Sequence, residues 1–156
     1  MSYTPAQPEL TLIARIALRL DAPLDLGVIS VGRRRLLAIS GGTVSGGRLR
    51  GEVLPGGSDW QTVREDKTVL MDARYAIRTL DGALIGVVET GVRHGPPEVL
   101  ARVAAGEAVD PSAYYFRTTP RFETGDERYA WLNNAIAISS GVRVGDSVLL
   151  DCYLVE

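Results

Sequence analysis

The sequence predicts an all-β fold, an antiparallel β-barrel of about eight to nine strands with one short helix. Short apolar runs alternate with polar residues at a period of two, and 17 glycines and 8 prolines punctuate them. Only one segment carries the start and stop signals of a helix. Strands do not alternate with helices, which argues for an antiparallel rather than a parallel sheet. Closing such a sheet removes its unpaired edges, so a barrel is favoured over a sandwich.

In chain order, residues 1–9 read as a loose N-terminal arm, and the length of 156 residues reads as one domain. Residues 10–20 open the strands: Leu10, Leu12, Ala14, Ile16, Leu18 and Leu20 alternate with Thr11, Arg15 and Arg19, so one face is buried. Residues 26–32 read as a loop, 34–40 as a strand closed by Gly41-Gly42, and 48–54 as a strand with Leu49, Gly51 and Val53 on one side. Pro55-Gly56-Gly57-Ser58-Asp59 is a loop signal. Residues 60–64 form a short strand, 69–79 a long one, Asp81-Gly82 a hairpin turn, and 83–90 the return. Pro97 follows Gly95-Pro96 and starts a helix over 97–105 that Gly106 stops. Strands over 113–123, 131–139 and 147–155 complete the set.

Composition narrows the partners. Apolar residues make up 46% and charged residues 23%, enough to bury a core without covalent staples. A net charge of −2 gives no general attraction for nucleic acid or an acidic membrane surface. Lys67 is the one lysine among 17 basic residues, and Arg33-Arg34-Arg35 reads as a solvated strand start. The lone Cys152 excludes an intramolecular disulfide and reads as a small buried apolar residue. No signal-peptide pattern or spanning apolar run is present, so the expected compartment is the cytoplasm.

The usual cofactor motifs are missing. One histidine and one cysteine cannot supply the common zinc ligand sets without several carboxylates. Gly41 to Gly46 has the spacing that opens a phosphate loop, but Gly47 and Arg48 stand where Lys and Ser/Thr are required. Ser45 is followed by Gly47 but preceded by Thr43, so it is no nucleophile elbow. No dinucleotide fingerprint joins a strand to a helix. The expectation is no metal and no cofactor.

The candidate site residues lie on two strands and their flanks. Asp72 and Arg74 share one face of residues 70–77, opposite Ala73, Tyr75 and Ile77. Tyr115, Arg117, Arg121 and Glu123 share one face of residues 114–123, opposite Tyr114, Phe116 and Phe122. Pointing into a barrel, these charged faces build a polar pocket. Pointing to water, they are ordinary strand surface. As a pocket, Arg74 and Arg117 stabilise an anion through their planar donor forks, and Tyr115 supplies a hydrogen bond. Asp72 or His94, the latter at a strand end before the Gly95-Pro96 turn, transfers a proton. Trp60 and Trp131 are candidate cavity walls, with Asn133 beside the second.

Several runs together carry a family resemblance: Gly51-Glu52-Val53-Leu54-Pro55-Gly56-Gly57-Ser58-Asp59-Trp60, Asp72-Ala73-Arg74-Tyr75, Arg93-His94-Gly95, Tyr115-Phe116-Arg117-Thr118-Thr119-Pro120-Arg121-Phe122-Glu123-Thr124 and Trp131-Leu132-Asn133. In order and spacing, the chain from about residue 10 onward resembles the bacterial and fungal family catalogued as domain of unknown function 3237. The resemblance implies a small, often self-associating β-barrel with a cavity. It supplies no established reaction and no accepted catalytic set. Fungal relatives in natural-product pathways make a cofactor-free acid–base cyclase or isomerase the implied enzymatic reading. The leading expectation is a barrel that binds a small aromatic, keto or carboxylate molecule. The alternative is a non-catalytic assembly protein with a side-chain-filled barrel. Either way the partners expected are a small-molecule ligand and further copies of the chain, not nucleic acid or membrane.

Overall fold

A computed structural model describes residues 1–156 as ten strands in one antiparallel sheet that closes on itself. The strands are β1 (Leu10–Leu20), β2 (Leu24–Ile29), β3 (Gly32–Ser45), β4 (Gly51–Val53), β5 (Gly57–Val63), β6 (Val69–Thr79), β7 (Leu84–His94), β8 (Tyr115–Glu123), β9 (Ile136–Val144) and β10 (Ser147–Val155). Around the barrel the order is β1-β10-β9-β8-β7-β6, then β4 and β5 end to end, then β3, which pairs back onto β1. That makes an eight-stranded closed barrel, with β2 added outside on the edge of β3 and β4 and β5 sharing one position. Helix α1 (Pro97–Ala104) lies at one end, and a 3-10 helix, Glu127–Asn134, closes the other.

β3 achieves closure by pairing along both edges, with β5 and β4 on one and β2 and β1 on the other. Arg33 to Ile39 pair with β5, and Ile39 to Ser45 pair with β1. The strand can cross over only because Gly42 lets the β1 backbone come against it: a Cβ there would sit 1.9 Å from the Ala17 carbonyl oxygen. At the Asp81-Gly82 turn, Gly82 takes the positive φ of 88° that the hairpin needs. Thr79 donates its hydroxyl to Asp81 across that turn.

The interior grades from apolar to polar along the barrel axis. On β7 the inward residues run Ile85, Val87, Glu89, Gly91, Arg93 from the Gly82 turn toward α1. The apolar end is sealed by Leu132, buried from the 3-10 helix, whose Tyr129 and Arg128 are bonded to Asp81. Each fully buried Ile, Leu or Phe contributes about 1.5–3 kcal/mol, so this end carries most of the stability.

Observed boundaries of β1, β6 and β10 coincide with expectation, and others differ for physical reasons. The residues read as a loop, 26–32, are largely the edge strand β2, whose apolar residues have no barrel face to occupy. Residues 131–134 belong to the 3-10 helix, and the strand starts at Ile136. The inward alternation expected of Leu10 and Leu12 is broken by a register shift between Leu12 and Ala14. Ile13 and Ala14 are both buried, while Leu10 and Leu12 lie on the outer surface.

The closure contact gives a direct test. Gly42→Ala is expected to lose more than about 2 kcal/mol in urea unfolding or to fail to fold. Gly47→Ala, where a Cβ meets nothing within 4 Å, is expected to stay within about 0.5 kcal/mol of the parent. Equal stability of the two variants would remove Gly42 as the point of closure.

Candidate functional site

The polar half of the interior is built from inward positions of five strands. Asp59 and Gln61 come from β5, Tyr75 from β6, Glu89 and Arg93 from β7, Thr118 from β8 and Ser139 from β9. Registry sets them side by side: Asp59 pairs with Ala73, Ala73 with Glu89, Gln61 with Met71, and Gly91 with Thr118.

Glu89 is 3% exposed and has no cation partner. The Tyr75 hydroxyl donates to its Oε2 at 2.6 Å, and the Thr118 hydroxyl donates to its Oε1. Burial pushes its pKa up from the ordinary carboxylate value, and the Thr118 and Tyr75 hydrogen bonds offset this only in part. Tyr75, fully buried beside Glu89, is itself raised by desolvation and stays a neutral donor. Asp59 accepts from Gln61 Nε2 at 2.7 Å and from the Asp72 amide at 3.2 Å. Its pKa is likewise raised by burial. Gln61 turns its Oε1 to Arg35, which donates from Nη2 at 2.6 Å, so a neutral amide joins a cation to a buried acid.

Near α1 three guanidinium groups, Arg35, Arg93 and Arg143, face the same end of the interior. Burial lowers each of them first, Arg143 lowers Arg35 and Arg93 further by repulsion, and Arg35 also lowers Arg93. Arg93 is brought to about 10 and remains charged at neutral pH. It stacks 5.5 Å from the Phe116 ring centroid. A cavity of about 30 Å³, room for one water-sized group, is bordered by Asp59, Gln61, Glu89, Arg93 and Thr118. A second space of about 180 Å³ lies between α1 and the barrel, with Arg35 and Arg93 on its floor. Cys152 is fully buried and pushed up to about 12 by desolvation, so it remains a thiol and no nucleophile.

The residues singled out from sequence fall on the other side of the sheet. Asp72, Arg74, Arg117, Arg121 and Glu123 all project from the outer face, because Ala73, Tyr75, Phe116 and Phe122 take the inward positions. Tyr115 and Arg117 do come together, 5.4 Å between guanidinium and ring centroid, in an open outer groove of about 640 Å³ with Leu70, Val92 and Ile138. That groove is larger than the interior spaces but holds no buried ionisable group. His94 is exposed at the end of β7 and bonded to Thr68 at 2.7 Å. Trp60 lies outside beneath Arg34; Trp131 stacks on Arg48 with 4.0 Å to the ring centroid and packs half-buried against the core, and neither borders the polar cavity. Asn133 clamps the Thr124 backbone, accepting from its amide at 2.8 Å and donating to its carbonyl at 2.9 Å. Asp59, Gln61, Glu89, Arg93 and Arg35 went unselected in the sequence. Their signal was a polar residue on the apolar parity of a strand: Glu89 and Arg93 continue the Ile85-Val87 face.

Residues 8–155 match the family described as Protein of unknown function (DUF3237). A UPF0311 protein of Clostridium acetobutylicum is 45% identical over 142 residues, covering 90% of each chain. The crystal structure of a conserved protein of unknown function from Rhodopseudomonas palustris superposes with a TM-score of 0.94 at 40% identity, covering 98% of this chain and all of the other. The hydroalkoxylation enzyme phnH of Penicillium herquei is 28% identical over 123 residues, 79% of this chain and 67% of that protein. On a match spanning nearly its full length, over a barrel of the same shape, this chain belongs to the DUF3237 family.

Proposed function

We propose that the polar half of the barrel is a cofactor-free acid–base site for a small organic molecule with a keto or carboxylate group, with Glu89 as the group that carries the proton. The observation that carries this is a fully buried carboxylate, bonded only to neutral hydroxyls and raised by desolvation, on the wall of a cavity. A carboxyl group whose pKa is raised by burial serves as acceptor in one half of a reaction and donor in the other. Tyr75 and Thr118 hold both carboxylate oxygens and fix their aim. Asp59 adds a second buried acid across the same cavity. Hydroalkoxylation, the activity in the name of the fungal relative, adds O–H across a carbon–carbon double bond. Such a step needs proton transfer without redox change, which is the chemistry this interior can supply.

The test follows exchange of the benzylic protons of phenylpyruvate with D2O by NMR. Glu89 takes the C–H proton, the electron pair passes to the carbonyl oxygen, and a deuteron returns to carbon. Glu89→Gln is expected to slow enzyme-dependent exchange by about 100-fold or more. Asp72→Asn and His94→Gln, both altering exposed residues, are expected to leave it unchanged. No exchange above buffer in the parent, or full exchange in Glu89→Gln, would sink the proposal.

Stability gives an independent check on Glu89. Its folded-state pKa lies above the unfolded value, so the folded protein binds a proton that the unfolded chain has released. The stabilisation of the protonated group is complete below the ordinary carboxylate range and is lost as pH rises toward the folded value. Parent stability relative to Glu89→Gln is therefore expected to fall as pH rises above about 4, with a slope of at most about 1.4 kcal/mol per pH unit. Denaturant melts across that range read it directly, and a flat difference would contradict the raised pKa.

One observation favours the assembly reading as well. Leu24, Leu26 and Val28 on β2 are 64%, 51% and 72% exposed, on a strand with an open edge. Pairing with a second copy would cover both the edge and the apolar residues. Sedimentation of the parent is expected to show an oligomer that Val28→Glu dissociates, and a monomeric parent would reject it.

A further inference from the structure

Resting on the acid–base site proposed above, we infer that the ligand is an organic oxyanion, a carboxylate, phenolate or enolate on a compact apolar body, whose charged end lies against Arg93 and whose body lies under α1. Arg93 is 3% exposed, yet its guanidinium takes part in no ion pair. The ion pairs of the molecule all lie elsewhere, on Arg15, Arg33, Arg78, Arg102 and Arg128. Its guanidinium borders both the inner cavity and the larger space beneath the helix. Next to it, Nε of Arg35 is buried and without a partner. Asp59 is the buried acid that reaches all three arginines electrostatically, and Gln61 and the Asp72 amide already occupy its oxygens.

A buried cation outside any ion pair is costly, and beside it the Arg35 Nε donor remains unmet. A planar oxyanion answers both needs, because the guanidinium fork matches two adjacent oxygens or one delocalised charge. Beyond Arg35, Arg93 and Lys67, the space is walled by the apolar Val63, Val69, Leu100, Ala101 and Ala104, with Pro97 at the helix start. At about 180 Å³ it takes a group of ring size and is too small for a nucleotide. Helix α1 makes no backbone hydrogen bond to any strand; Leu100 and Val103 hold it by apolar contact. An entering ligand therefore breaks no hydrogen-bonded ladder to reach Arg93. The oxyanion then lies near the cavity that Glu89 borders, which joins charge recognition to proton transfer.

The test uses 4-nitrophenol, whose phenolate absorbs differently from the phenol, and the uncharged 4-nitroanisole of similar shape. The parent is expected to bind the phenolate at least about tenfold more tightly than the phenol, lowering the dye's apparent pKa by about one unit or more. Arg93→Met is expected to abolish that preference while melting no lower than the parent, since it removes an unpaired buried charge. Ala104→Phe, which fills the slot without touching a charge, is expected to block the phenolate too. Unchanged phenolate binding in a folded Arg93→Met variant, or equal affinity for 4-nitroanisole, overturns the inference. Phenolate binding that depends on Arg93 alongside phenylpyruvate exchange that ignores Glu89→Gln keeps the oxyanion site and rejects the acid–base role. Exchange lost in Glu89→Gln with phenolate binding indifferent to Arg93 does the reverse.

Discussion

Closure of the sheet through β3 against β1 is the constraint on which everything else depends. An open antiparallel sheet has two faces of equal standing, and a polar residue on either can reach water. Once Gly42 lets β3 meet β1, one face becomes an interior with a low dielectric. Each charge on it then has to be paired, neutralised or left costly. The inward positions of Glu89, Asp59 and Arg93 acquire their chemistry from that enclosure alone.

Division of labour along the axis follows from the same enclosure. The end sealed by Leu132 packs Ile77, Ile85 and Phe122 and carries the stability. The end under α1 trades stability for polar groups: two carboxylates with raised pKa values and three arginines crowded together. Such spending of folding energy on groups that packing does not need is a pattern of functional sites. The neutral ligation of Glu89 by Tyr75 and Thr118 matters here. A cation in their place would hold the acid ionised and remove its use as a proton carrier near neutrality.

Side-chain packing limits what the interior can accept. With about 30 Å³ free among Asp59, Glu89 and Arg93, only the reacting end of a molecule reaches the acids, and its body stays under α1. A helix held by apolar contacts over such an opening suits a small ligand that is mostly apolar with one polar end.

The sequence by itself determined most of the strands, the one α-helix, the antiparallel closed sheet and the family. Period-two alternation and glycine and proline punctuation are local signals, and they placed β1, β6 and β10 at their observed limits. The candidate site was not legible in the same way. Asp72, Arg74 and Arg117 drew attention because charges gather on their strand faces, yet Tyr75 and Phe116 on the opposite parity are larger and fill the barrel. In a strand the two faces differ by one residue, so only the competition of all strands for the core decides which is inside. Glu89 and Arg93 stand on the apolar parity of their strand. Tertiary structure alone brings them beside Asp59, Gln61 and Thr118, because those contacts cross strands distant in sequence and exist only once the barrel is shut.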